Sequence, residues 1–178
     1  MATPLATIVE WAHHALVAAD LPHAFGGALA LAYHVEEPRG TRDIDINVFV
    51  PAARAEDVLQ ALDRAGWDAK DLALALRDGQ VRVFYEDTPL DLFLMNHPFH
   101  VQSATNVEVV PFLDGMIPIL SATDLAVYKV FFNRTKDWAD LEAMIEVQSF
   151  DLHVVLGWVV DLLGGDDERV ERLRSLSS

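Results

Sequence analysis

Along the chain, hydrophobic positions recur first with a helical period, then alternate strand-fashion, then return to a helical period. Residues 5–19 (LATIVEWAHHALVAA) predict an amphipathic helix, closed by a turn at Asp20-Leu21-Pro22. Residues 23–26 predict a short strand running into a turn at Gly26-Gly27, and the good helix formers over 28–33 predict a helix. The EEPRG segment over 36–40 is turn chemistry, with Pro38 and Gly40 as breakers. Residues 43–50 predict a strand in which Ile44, Ile46 and Val48 share one face, while Asp43, Asp45 and Asn47 share the other. Residues 54–65 predict a helix with Val58, Leu59 and Leu62 on its apolar stripe, ended by Gly66. Two hairpins follow: strands 81–85 and 90–95 turning over 86–89, then strands 107–112 and 116–120 turning at Asp114-Gly115.

The pattern changes near residue 121. Ser121 with Asp124 three residues on resembles a capping box and starts a predicted helix to about residue 132. Further helices are predicted over 137–147, 152–163 and 167–176. The predicted fold class is α+β. A small mixed sheet flanked by helices occupies residues 1–120, and a C-terminal helical bundle over 121–178 packs on it or continues it as one domain.

Composition narrows the setting. With 178 residues and 52% apolar side chains, the chain has material for a sizeable core. No apolar run reaches the roughly 20 residues of a bilayer span, so no membrane is expected. The first twenty residues carry Glu10 and no basic leader, so they do not read as a signal peptide. No cysteine is present, which excludes disulfides, thiolate metal sites and a Cys nucleophile, and a cytoplasmic location is expected. The formal charge of −15 disfavours broad binding to polyanions, although Arg39 and Arg42, and Lys129, Arg134 and Lys136, form local basic groups.

Aspartate is a poor strand former, so two of them at i and i+2 need a reason. An isolated D-x-D is most simply a strand's solvent-facing side. Alternation, however, also sets both carboxylates on one face, roughly 6.5–7 Å apart, where they can converge on a divalent ion. Asp91 bears on the choice, since it is the lone charge in PLDLFLM. If its strand pairs beside 43–50, three carboxylates gather, and each like-charged pair at about 4 Å would cost about 4 kcal/mol without a cation. Oxygen-only ligands favour Mg²⁺ or Mn²⁺, the ions of two-metal phosphoryl transfer. A strand–Gly26-Gly27–helix connection suits a close approach of phosphates to the backbone, although Gly-Gly is also simply a tight turn.

Taken together, Gly26-Gly27, the R-x-T-x-D-I-D run of Arg39, Thr41, Asp43 and Asp45, and the later Asp91 resemble the DNA-polymerase-β-like nucleotidyltransferase superfamily. The stretch SATDLAVYKVFFNRTKDWADLE is similar to the "dLialK…R.KD..DL" segment of AbiEii-type nucleotidyltransferases, a group of toxins and abortive-infection proteins. The resemblance spans residues from about 20 to 147. It implies that Asp43 and Asp45 bind Mg²⁺ or Mn²⁺, and that Asp91 completes the site and helps deprotonate the acceptor. It implies that Gly26, Gly27, Arg39 and Thr41 serve the phosphates of an NTP and that Lys129 reaches the triphosphate. Arg134, Lys136 and Asp137 would lie near the nucleotide, with Asp140 in a structural role. The activity implied is transfer of NMP from an NTP to a hydroxyl, on tRNA by a toxin-like enzyme with an antitoxin partner. A small cationic acceptor such as an aminoglycoside fits the acidic composition better. A catalytically silent nucleotide- or partner-binding module is the reading from a different class, against which the retained carboxylates argue.

Other polar residues read more plainly. His13-His14 is expected to decorate a helix, and His97 lies just beyond the Asp91 strand. His97 and His100 lack the H-E-x-x-H arrangement of a zinc pair. Trp11, Trp67, Trp138 and Trp158 are scattered as core or interface anchors, and no G-x-S-x-G elbow occurs.

Overall fold

The computed structural model describes residues 3–176. The chain divides into two units. The first comprises residues up to Leu29 together with Gly40–Leu120, and the second comprises Ala30–Arg39 and the chain from Ser121 onward.

In the first unit, α1 (Leu5–Ala18) buries Ile8, Val9, Ala12 and Leu16, a stripe at helical spacing that keeps its polar side chains outside. Among the described residues six strands form one mixed sheet: β1 (His23–Phe25), β2 (Ile44–Pro51), β3 (Gln80–Tyr85), β4 (Thr88–Met95), β5 (Glu108–Phe112) and β6 (Gly115–Ile119). Their order across the sheet is β3-β4-β2-β1-β6-β5. The two hairpins, β3/β4 and β5/β6, are antiparallel and local. Between them β1 runs antiparallel to β2 and parallel to β6, while β2 runs parallel to β4. Phe25, Ile44, Ile46, Leu90, Leu92 and Leu94 are fully buried on these central strands, each burial contributing on the order of 2 kcal/mol.

The strand predicted over 43–50 begins one residue later, so Asp43 stands in the turn that enters β2. Its second face is not a solvent face throughout. Asp45 is half-buried, but Asn47 and Phe49 are buried. The predicted 54–65 helix is shorter: a 3-10 turn at Ala52–Arg54 leads into α3 (Ala55–Ala61).

Two further helices, α4 (Ala69–Asp78) and α5 (Pro98–Thr105), went unpredicted. In α4 only Ala75 is buried, and Leu74 and Leu76 are exposed, while the alternation of Leu72, Leu74 and Leu76 imitates a strand. Its ends carry the signal instead. Asp68 and Asp71 cap each other's backbone amides, and Gly79 closes the helix in the left-handed region. α5 is announced by His97 as N-cap and Pro98 at its first position.

α2 (Gly27–Leu31) begins in the first unit and ends in the second. The remainder of the second unit is helical: α6 (Ala122–Phe132), α7 (Thr135–Glu146), α8 (Leu152–Leu163) and α9 (Glu168–Ser175). Ser121, Asp151 and Asp167 cap α6, α8 and α9 through side-chain oxygens. Trp138 is fully buried, donates its indole N–H to Asn133 and carries the Arg172 guanidinium over its ring at 4.2 Å.

His13 does more than decorate α1. Its Nδ1 lies 3.0 Å from Nε2 of buried His23, whose own Nδ1 donates to the Leu21 carbonyl. Burial, opposed by the Leu21 bond and assisted by His13, lowers the His23 pKa to about 4 from 6.5. The unfolded chain therefore takes up a proton between those values that the folded chain refuses. Stability contributed by neutral His23 is full above about pH 6.5 and is lost progressively as pH falls towards about 4, by up to about 3 kcal/mol. His100, lowered to about 4 chiefly by burial, adds to the same slope. Melting temperatures of wild type and His23→Gln across this range check the expectation: the variant is less stable near neutrality and shows a shallower acid slope. Equal slopes would remove His23 from the account.

Candidate active site

In the first unit the site is built around Asp45. Gly26 donates its N–H to the Asp45 carbonyl at 2.9 Å, which ties the glycine turn to the start of β2. Gly27 has φ +53°, and a Cβ on it would lie 1.8 Å from Asp45 Oδ2 and 2.6 Å from Cγ. The glycine is therefore needed twice, for its left-handed backbone and for the space the carboxylate occupies. Asp43 is held from the other side: Thr41 Oγ1 donates to its Oδ1 at 2.5 Å, and Asp43 N–H lies 3.3 Å from the same hydroxyl.

The parallel β2–β4 ladder makes Asp45 and Asp91 direct register partners. The strand pairing that a three-carboxylate site requires is thus present. Asp91, however, has a partner the sequence reading did not name. Arg82, opposite it on β3, donates Nε to Oδ1 and Nη2 to Oδ2, both at 2.6 Å. The bond to Asp91 raises the Arg82 pKa; burial opposes the shift, and Asp43 and Asp45 add to it through their charges. Among the described residues no three His, Asp or Glu side chains already converge at metal-holding distance. The donor set suits a hard divalent cation, with Asp43 and Asp45 presenting oxygens and Asp91 joining them on the neighbouring strand.

Asn47, two residues beyond Asp45, was placed on the same face by the sequence pattern but not named among the site residues. It is 3% exposed, its Oδ1 has no hydrogen-bond partner, and its Nδ2 would lie 3.0 Å from a Cβ on Gly26. Strand alternation puts it on the face of Asp45, which was the available signal.

The second unit holds the other expected residues. Lys129 Nζ lies 2.6 Å from Asp140 Oδ2, and the two side chains are 3% and 5% exposed. Arg39 closes on the same carboxylate through Nε and Nη2 at 2.9–3.2 Å. Asp140 is thus clamped by two cations. Burial pushes its pKa up, but the bonds from Arg39 and Lys129 prevail and hold it below the ordinary carboxylate range. Arg134 donates Nε and Nη2 to buried Asp137, which also accepts the Arg134 backbone N–H and so caps α7. Lys136 follows in the first turn of α7, partly buried.

Removing one partner from a buried cluster leaves the others uncompensated. Asp140→Asn is therefore expected to destabilise the protein by about 3–5 kcal/mol, read from urea unfolding. A loss below about 1 kcal/mol would reduce the cluster to a surface-like ion pair.

No protein-family model and no curated protein matches the sequence. Solved structures do match. The antibiotic-resistance factor ANT(2'')-Ia superimposes with a TM-score of 0.54 at 17% identity, over 96% of this chain and 89% of that one. A crystal structure of ANT(2'')-Ia in complex with adenylyl-2''-tobramycin gives 0.55 at 16%, over 97% and 96%. The lincosamide antibiotic adenylyltransferase LnuA, lincomycin-bound, gives 0.55 at 13%, over 79% and 96%. The fold is that of the nucleotidyltransferases. These likenesses reach the fold class and do not single out the AbiEii group. On that fold, the glycine turn, the Asp43/Asp45 pair and Asp91 all fall within one unit, whereas Arg39 falls with Lys129 in the other.

Proposed function

We propose that the protein is a metal-dependent nucleotidyltransferase that moves NMP from an NTP to a hydroxyl of a small, cationic acceptor. The observation that carries the reading is the Asp45–Asp91 register beside a glycine turn whose missing Cβ leaves room for the Asp45 carboxylate. Asp43 and Asp45 hold Mg²⁺ or Mn²⁺, with Thr41 fixing the Asp43 carboxylate and Asp91 completing the set. A divalent cation held there would supply Lewis-acid chemistry at the α-phosphate and positive charge for the leaving pyrophosphate. The Gly26-Gly27 turn lets the phosphates approach the backbone. The acceptor oxygen bonds to the α-phosphorus as the bond to pyrophosphate breaks, and Asp91 takes the hydroxyl proton.

Two observations favour a small cationic acceptor over tRNA. The net charge is −15, and the second unit carries an open acidic cleft of about 670 Å³ lined by Glu36, Glu37 and Glu146. The ANT(2'')-Ia and LnuA structures also name antibiotics, tobramycin and lincomycin. A toxin-like tRNA acceptor, with an antitoxin partner, is the competing outcome. Incubation with each α-labelled NTP, Mg²⁺, total tRNA and a panel of aminoglycosides and lincosamides separates them. Label on a small cationic acceptor supports the proposal, and label confined to tRNA reverses the acceptor. Tight NTP binding with no pyrophosphate release on any acceptor favours the silent module.

A further inference from the structure

Arg82 has no part in the mechanism above, yet it occupies both oxygens of Asp91. The contact is written into the backbone, because Arg82 and Asp91 are register partners across the β3/β4 hairpin. β3 is the outermost strand on that side of the sheet, and the Arg82 side chain is 51% exposed against 14% for Asp91. The guanidinium thus reaches in over the carboxylate from the solvent side, where it has room to withdraw. Asp91 is the register neighbour of Asp45, so the charge that Arg82 neutralises belongs to the proposed metal set.

We propose that Arg82 is a resident counter-cation of this site, which a divalent metal displaces from Asp91 in order to gain its third carboxylate. The inference rests on the metal reading of Asp43, Asp45 and Asp91. Without metal, Arg82 offsets the repulsion among three neighbouring carboxylates; with metal, the same pair must open. Arg82 therefore weakens metal binding and makes the metal-free site tolerable.

The test is Mn²⁺ titration of the full chain without nucleotide, followed by paramagnetic resonance of free Mn²⁺, together with melting temperatures. Arg82→Gln is expected to bind Mn²⁺ about tenfold more tightly than wild type, since both a competing ion pair and a repelling charge are gone. Its metal-free melting temperature falls, and Mn²⁺ raises it by more than in wild type. Arg82→Lys, which keeps the charge and loses the two-point grip, lies between. In Asp91→Asn, where no ion pair is left to compete, adding Arg82→Gln gives a smaller gain than it does beside an intact Asp91. Wild-type binding with Arg82→Gln no tighter overturns the counter-cation role and leaves the metal reading standing. If neither wild type nor Arg82→Gln binds Mn²⁺, the metal reading falls and the counter-cation role with it.

Discussion

Asp45→Ala is expected to reduce the proposed transfer by roughly 10³-fold or more while the protein stays folded. The two effects separate because Asp45 sits where activity and stability make opposite demands. Its carboxylate lies against the glycine turn, on the strand beside Asp91 and two residues from Asp43. Like charges at that spacing repel, so removing one relieves strain on the folded state even as it removes a metal ligand. The melting temperature should change little, with a net effect within about 1 kcal/mol. Asp43→Ala should match it in activity but lose more stability, because the Thr41 hydroxyl loses the carboxylate to which it donates. Pyrophosphate release on the active acceptor, measured beside thermal melts, checks both. Activity of Asp45→Ala within tenfold of wild type would sink the metal assignment.

Residue patterns showed where the elements lie better than how they meet. The β3 and β4 strands were legible because their apolar side chains alternate around a polar turn, and the caps of α6, α8 and α9 stand plainly in the sequence. Which strands lie side by side was not legible. The β2–β4 and β1–β6 pairings join segments far apart in sequence, and nothing in the local pattern specifies a partner. Arg82 was missed for a narrower reason. A turn over 86–89 pairs Tyr85 with Leu90 and puts Phe84 opposite Asp91, whereas the observed turn pairs Tyr85 with Thr88 and brings Arg82 there. A two-residue difference in turn length thus hid the two-point contact between Arg82 and Asp91. The same limit applies to Asp140, which meets Arg39 from 101 residues away. An inventory of charges gives its members but not its pairs.

Gly27→Ala is the second change with a large expected effect, and it tests whether the glycine pair is a site feature or only a turn. Alanine at φ +53° is strained by about 1 kcal/mol wherever it occurs. Here the added Cβ would also lie 1.8 Å from Asp45 Oδ2 and 3.1 Å from Asp45 Cβ, so the clash reaches the root of a short side chain. Either the carboxylate leaves its position or the turn moves away from β2, where Gly26 N–H is bonded to the Asp45 carbonyl. A stability loss of about 1–3 kcal/mol follows, with a fall in transfer of roughly 10²-fold or more from misplacement of about 1 Å. Gly26→Ala provides the contrast. Its Cβ would meet Asn47 Nδ2 at 3.0 Å and Leu120 Cδ1 at 3.2 Å, distances that side-chain shifts of a few tenths of an ångström relieve. If glycine serves only to make the turn flexible, the two variants should lose activity alike. If the carboxylate requires the space, Gly27→Ala is the more damaging. Most of its stability loss should then vanish in an Asp45→Ala background, leaving only the backbone strain.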